Sequence, residues 1–137
     1  MQANDANGGK IPMEIKICDV LILYQTLKHI IDDSQIKLDP LFKFRLLGIM
    51  KSLEPHIENF EVIRKEKIKE YGKESETDGS ISIPPDDAEA VENFQKDISL
   101  ITDSFINVNI DKLKAEEIFN KGISADCLIS LYPIIEG

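Results

Sequence analysis

The sequence predicts an α+β fold: a small, mostly helical domain with a minor sheet of about three short strands and a long, Pro-kinked central helix. After Asp39-Pro40, apolar residues recur every three or four positions over about thirty residues, which is typical of a helix. Three shorter segments alternate apolar and polar residues, as half-buried strands do. Helices that separate such strands are expected to cover the sheet.

The chain is expected to open with a flexible lead, a strand and a helix. Residues 1–12 are polar and contain no apolar segment, which indicates a lead rather than a signal peptide. The domain is therefore expected to span residues 13–137, with Met1 and Met13 both open as the native start. Residues 13–17 alternate and predict the first strand. Asp19 is expected to cap a helix that runs to residue 32.

The long central helix is predicted to begin at Asp39-Pro40, an acidic N-cap followed by proline at the first helical position. Gly72 stands where a C′ glycine usually ends a helix. Pro55 removes one helical hydrogen bond, so we expect either a kink or a break into two helices. About thirty helical residues span roughly 45 Å, so part of this helix needs a partner from this chain or from another copy.

Turn and cap residues divide the next part of the chain. Asp78-Gly79 predicts a turn before a short strand at residues 81–83. Pro84-Pro85 then starts a helix whose acidic first turn suits the helix dipole. Residues 105–110 form the clearest alternating strand. In the helix that follows Pro84-Pro85, the apolar stripe that is expected to be buried consists of Val91, Phe94, Ile98 and Ile101.

Two short elements are predicted at the end of the chain. Residues 111–120 are expected to form a short amphipathic turn or helix. Ser124 is a suitable cap for a last helix over residues 125–135. Pro133 either kinks this helix or starts a final turn.

The charge is concentrated in one half of the chain. Residues 1–72 hold 11 basic and 11 acidic residues, whereas residues 73–137 hold 5 basic and 14 acidic residues, which gives the net charge of −9. Such a field repels nucleic acid, whose binding depends on phosphate neutralisation. The longest apolar runs, such as residues 20–24, are far shorter than a membrane span. We therefore expect neither nucleic acid nor membrane as a partner, and a location in the cytosol.

No catalytic constellation is apparent, so we expect no enzyme and no cofactor. No nucleophile elbow and no Gly-rich phosphate loop occurs. Metal sites are not expected, since the two cysteines and two histidines are isolated from one another. Residues 74–79 resemble the opening of a calcium loop, but Pro85 occupies the position that requires a bidentate Glu. Cys18 and Cys127 are expected to be small buried hydrophobes in a reducing compartment.

Cationic residues of the long helix are the candidate ligands for an anion. They are Arg45, Arg64, Lys65, Lys67 and Lys69. One interpretation is a solvated face, with Glu61 paired to Lys65 and Glu66 to Lys69. The other is a cationic strip that a second copy makes converge on a phosphate-bearing ligand.

Several short motifs resemble a family of small uncharacterised tailed-bacteriophage proteins, a domain of unknown function. The similarity covers about four-fifths of the chain, from Met13 onward. It implies a viral origin and action inside an infected bacterium, and it implies no activity or catalytic residues. The motifs that carry it are Leu53-Glu54-Pro55, Glu70-Tyr71-Gly72, Asp78-Gly79, Ile83-Pro84-Pro85, Phe94, Val108-Asn109-Ile110, Ile123-Ser124-Ala125-Asp126 and Leu131-Tyr132-Pro133.

Two functions are therefore expected as alternatives. The first is a non-enzymatic phage-derived protein that acts through protein–protein contacts, as a homo-oligomer or with another protein, in host takeover or virion assembly. The second is an anti-defence sponge that sequesters an anionic nucleotide immune signal of the host, such as a cyclic nucleotide. Both place the protein in the cytoplasm of the infected bacterium, and the first also allows association with the virion.

Overall fold

The computed structural model describes residues 11–119 and 121–136. The helices are α1 (Ile17–Asp32), α2 (Pro40–Tyr71), α3 (Ala88–Thr102), α4 (Ala115–Ile118) and α5 (Ala125–Leu131). The strands are β1 (Ile11–Lys16), β2 (Lys73–Glu74), β3 (Ile81–Ser82), β4 (Phe105–Ile110), β5 (Leu113–Lys114) and β6 (Ile135–Glu136). The molecule is thus a mostly helical α+β domain with a long central helix, as predicted. Most of the predicted flexible lead, residues 1–10, lies outside the described residues.

The described strands pair into three sheets of two strands each. β1 and β4 are antiparallel, with Met13 opposite Val108 and Ile15 opposite Ile106. β2 and β3 form a short antiparallel hairpin, and β5 and β6 pair in parallel. The three predicted strands therefore exist but do not share one sheet, because β3 pairs with β2 instead of with β1 or β4.

β1 begins two residues earlier than predicted and runs directly into α1. The expected cap at Asp19 is wrong: the helix begins at Ile17, its N-cap is Lys16 without a side-chain hydrogen bond, and Asp19 lies in the first turn. The reason is the sheet, since the Ile17 amide donates to the Ser104 carbonyl at 3.0 Å and continues the pairing of β1 with β4. The strand thus supplies the partner that a cap would otherwise provide.

α2 begins as predicted, with the Asp39 carboxylate accepting a hydrogen bond from the Phe42 amide at 2.9 Å. The helix continues through Pro55 to Tyr71, so the alternative of a break into two helices is wrong. Gly72 is the C-cap and has φ −91°, which is not the left-handed conformation of a C′ glycine. Glycine is required here for steric reasons, because a Cβ atom would lie 2.4 Å from the Ile68 carbonyl oxygen and 2.9 Å from the Ser82 carbonyl oxygen.

The core surrounds the proximal half of α2, residues 40–56. The buried face of α1 packs against this half of α2, with β1 and β4 and the C-terminal elements completing the cluster. Completely buried side chains come from each of these parts, and each contributes about 1.5–3 kcal/mol relative to exposure. They include Val20, Leu23, Leu27, Ile30, Leu53, Leu113, Ile118 and Ile134.

The distal half of α2, residues 57–71, packs mainly against α3 and the β2–β3 hairpin, while Phe60 and Ile63 at its start also lie near Ile17 and Ile106. α3 begins at Ala88, later than the predicted start at Pro84-Pro85. Asp87, expected in its first turn, is instead the N-cap, and its carboxylate accepts from the Ala90 amide at 3.1 Å. The prediction that its apolar stripe is buried is wrong, since no residue of α3 is buried. One helix and one short hairpin supply too little apolar surface to enclose that stripe.

The C-terminal elements pack against α1 and complete the core. Ser124 caps α5 as predicted, accepting from the Cys127 amide at 3.3 Å. The last helix is shorter than predicted, because α5 ends at Leu131 and Pro133 lies in a 3-10 turn over Tyr132–Ile134. This turn leads into β6, beside β5.

Candidate functional site

The structure places the five cations predicted to hold an anion in four different settings. Arg45 lies in the proximal half of α2, and the other four lie in the distal half. Arg45 and Arg64 are roughly 28 Å apart along the helix axis. A single chain therefore does not bring all five side chains to one ligand.

The Arg45 guanidinium ties α2 to the segment that follows β4. It donates to the Glu117 carboxylate through Nη1 and to the Lys112 carbonyl through Nη2 at 3.3 Å. Its Nε lies 3.7 Å from Oδ2 of Asp111. With two carboxylates and a carbonyl around it, Arg45 positions a loop of the fold.

Arg64 and Glu61 form a bidentate ion pair on the distal half of α2. The carboxylate accepts from Nε at 2.6 Å and from Nη2 at 2.9 Å. These hydrogen bonds lower the pKa of Glu61 and raise the pKa of Arg64, because they favour both charged forms. Glu61 thus takes Arg64 as its partner, and its predicted pairing with Lys65 is wrong.

A polar cluster joins the end of α2 to α3. The Tyr71 hydroxyl donates to Oδ2 of Asp97 at 2.5 Å, and Lys67 Nζ lies 3.4 Å from the same oxygen and 3.1 Å from Oε1 of Glu70. The hydrogen bond to Asp97 raises the pKa of Tyr71 to about 12, because the phenolate could not donate it. The same bond, assisted by Lys67, lowers the pKa of Asp97. The cluster fixes where α3 docks.

Lys65 and Lys69 are the two remaining cations. They are four residues apart, so they project from one face of α2, and both are exposed. Among residues 11–119 and 121–136, neither forms an ion pair, so the predicted pair of Glu66 with Lys69 is absent there. These two lysines are the part of the predicted strip that remains open to a ligand.

An apolar groove, which we call the distal groove, lies between the distal half of α2, β3 and α3. Its volume is about 360 Å³. The sequence did not predict this groove, because the apolar stripe of α3 was expected to be buried. The lining residues are Arg64, Ile68, Ile81, Ser82, Ile83, Val91, Phe94 and Gln95.

A second surface, the α2 patch, consists of Leu41, Phe44 and Leu47. These residues follow at intervals of three and lie on one side of the helix. Their side chains are 71%, 72% and 43% exposed. The sequence does contain a signal for this patch, because the first turns of the helix are apolar on nearly all sides. A helix with that pattern is expected to be buried from every direction.

A notch adjoins the α2 patch at Gly48, one turn after Phe44. A Cβ atom at Gly48 would meet nothing within 4 Å. The notch has a volume of about 190 Å³ and is lined by Phe44, Arg45, Gly48, Ile49, Ser52 and Asp111. For comparison, a cavity of about 150 Å³ accommodates a benzene ring, so an aromatic side chain fits.

The described residues offer little for metal or thiol chemistry. No group of three His, Cys, Asp or Glu side chains among them lies close enough to hold a metal ion. Cys18 and Cys127 are free thiols and half-buried, more exposed than predicted. Within the part of the chain that the structure describes, no helix combines the length and apolar character needed to cross a membrane.

No family model, curated protein or solved structure matches this chain. The α2 patch with its notch, the distal groove and the two exposed lysines are therefore the features on which a function can be argued.

Proposed function

We propose that this chain is a non-enzymatic, phage-derived binding protein that acts through protein–protein contacts and forms a homo-oligomer through the α2 patch. It would act in the cytoplasm of an infected bacterium, in host takeover or virion assembly. The resemblance of its motifs to phage proteins supports the origin. The observation that carries self-association is the exposure of three large apolar side chains side by side on one helix, since contiguous apolar patches mark interaction sites.

The α2 patch and its notch are self-complementary. Phe44 projects one turn from Gly48, so each copy offers an aromatic side chain beside a space that accepts one. A two-fold axis between these residues places α2 helices antiparallel and inserts Phe44 of each copy into the notch of the other. Isologous contacts of this kind are the commonest in homo-oligomers.

The energy available is that of a moderate interface. Complete burial of a large apolar side chain contributes about 1.5–3 kcal/mol. When this value is scaled by the exposed fractions of Leu41, Phe44 and Leu47, burial of these side chains in two copies contributes roughly 6–11 kcal/mol before the cost of association. Association itself costs about 4 kcal/mol or more, and a net −8.2 kcal/mol corresponds to a dissociation constant of about 1 μM. We therefore expect a weak dimer that forms only in solutions more concentrated than about 1 μM.

Size-exclusion chromatography with light scattering tests this proposal. We expect the wild-type chain to elute as a dimer or larger, and Phe44→Glu to elute as a monomer with an unchanged far-UV spectrum. The matched control is Leu100→Glu on α3, because Leu100 is also 72% exposed but lies outside the α2 patch. A wild-type chain that stays monomeric in concentrated solution, or a Leu100→Glu variant that dissociates as Phe44→Glu does, contradicts the proposal.

An anti-defence sponge for an anionic nucleotide is the second candidate. It is favoured by Lys65 and Lys69, which are exposed on one face and form no ion pair among the described residues. A thermal-shift screen with cyclic nucleotides tests it, because a ligand that binds the native state raises the melting temperature. The shift should vanish in Lys65→Gln/Lys69→Gln and persist in Lys43→Gln, and a screen without any shift removes this candidate.

A further inference from the structure

The distal groove is a built concavity that the fold leaves uncovered. Val91 and Phe94 of α3 are only half-buried, and Ile81 of β3 remains 39% exposed. Together with Ile68 and Ile83 they form apolar walls around about 360 Å³, which lies within the range of roughly 300–1,000 Å³ for ligand sites. The groove admits one or two large apolar side chains.

The charge around the distal groove is negative on balance. Residues 73–103 supply six of the eight lining residues and contain two lysines against nine acidic residues, a net charge of −7. Among the described residues, only Asp97 of these nine forms an ion pair. On the opposite wall, Arg64 is paired with Glu61. Residues 57–71 of α2, which include the exposed Lys65 and Lys69, hold four basic and four acidic residues and so add no net charge. An occupant must therefore be apolar at its centre and cationic at its edges.

We propose that the distal groove docks a basic amphipathic segment of a partner protein. An apolar side chain enters between α2 and α3 as an anchor, and flanking Lys or Arg side chains face the acidic residues of the hairpin and of α3. Central apolar anchors within a charged rim are the usual arrangement of such sites. The sign of the rim disfavours anionic ligands. It also disfavours a second copy, whose residues 73–103 carry the same net charge of −7.

This site is separate from the α2 patch, so the two proposals fail independently. Self-association is read out by Phe44 variants, whereas groove binding is read out by variants of Ile81 and of acidic residues on α3. The groove is expected to bind its partner equally well in the monomeric Phe44→Glu variant.

Calorimetric titration with a designed Leu/Lys amphipathic helical peptide tests this inference, with a Leu/Glu peptide of the same pattern as its control. We expect binding of the Leu/Lys peptide only, and at least tenfold weaker binding to Ile81→Gln, whose side chain is already partly exposed. Glu89→Lys/Glu92→Lys, which changes two exposed residues of α3, should also weaken binding. Asp126→Lys/Glu136→Lys is the matched charge control outside the groove and should bind at least threefold more tightly than Glu89→Lys/Glu92→Lys.

Chemical-shift mapping on the labelled protein locates the bound peptide. Perturbed amides confined to the distal half of α2, β3 and α3 support the inference. Equal loss of affinity in both charge-reversal variants, or shifts spread over the acidic surface, would identify non-specific attraction and overturn it. Binding that Ile81→Gln leaves unchanged overturns it as well, as does an oligomer that dissociates in that variant, since the occupant would then be a second copy.

Discussion

Replacement of Gly48 by Ala should have opposite effects on the fold and on self-association. Glycine inside a helix is about 0.8–1.0 kcal/mol less favourable than alanine. The added methyl group meets nothing within 4 Å, so no clash offsets this gain. In the monomeric Phe44→Glu background we expect Gly48→Ala to raise the free energy of unfolding by ~1 kcal/mol, which is roughly 3–5 °C in melting temperature for a domain of this size.

The assay is guanidinium denaturation followed by far-UV circular dichroism. In the wild-type background the same position lies in the notch that is proposed to receive Phe44 from the other copy. A larger side chain, Gly48→Leu, should therefore weaken the dimer by about 1–3 kcal/mol, the usual cost of overpacking. Destabilisation of the monomer by Gly48→Ala would refute the view that this face is open, and an unaffected dimer in Gly48→Leu would refute the notch as its contact.

Three further changes follow from the structure. Gly72→Ala should destabilise the fold by about 2–4 kcal/mol in the same denaturation assay, because the methyl group meets the Ile68 carbonyl, and a loss below 0.5 kcal/mol would contradict the required close approach. Arg45→Met should lower the free energy of unfolding by about 1–2 kcal/mol and speed amide exchange in residues 111–118, while Lys43→Met should leave both unchanged. Equal effects of the two variants would contradict the role of Arg45 in positioning this segment. The pKa of Tyr71 is raised to about 12, so the stability from its bond to Asp97 is complete below pH 10 and is lost as pH rises towards 12. Tyr71→Phe should remove both this alkaline loss of stability and the tyrosine absorbance step near pH 12. If both persist in the variant, the titration belongs to another residue.

The stability that the same cluster provides should also be lost at acidic pH. The pKa of Asp97 is lowered by Tyr71 and Lys67, so the stability it provides is complete above its ordinary value of 3.8 and is lost as pH falls through the lower folded value. Melting curves of Asp97→Asn should therefore depend less on pH below about 4 than those of the wild type, and identical acid slopes would contradict the assignment.

Local signals in the sequence were sufficient for most helix boundaries. Asp39 and Ser124 each accept the capping hydrogen bond predicted for them, and Asp87, which was expected in the first turn of α3, accepts one of the same kind. These interactions involve residues three apart, so they can be inferred without knowledge of the fold. Asp19 failed as a cap because the amide at the start of α1 is satisfied by the Ser104 carbonyl, a contact across 87 residues of chain that periodicity cannot show.

The interaction surfaces could not be predicted for a related reason. Periodicity identifies the apolar face of a helix but not whether the fold supplies enough surface to cover it. Phe94 and Leu46 lie in equally regular stripes, yet Leu46 is 1% exposed and no residue of α3 is buried. The partner of Arg45 could not be predicted either, because Glu117, which holds it, lies 72 residues away in sequence.

A continuous α2 with unequal cover along its length implies two tiers of local opening. Amides of its proximal half and of α1 should exchange only with global unfolding, because their side chains lie in the closed core. Amides of α3 and the hairpin should exchange through a smaller, earlier opening, since no side chain of α3 is buried. A partner bound in the distal groove would slow the exchange of the amides of α3 and the hairpin towards that of the core. The exchange rates of the hairpin would therefore report whether the groove is occupied.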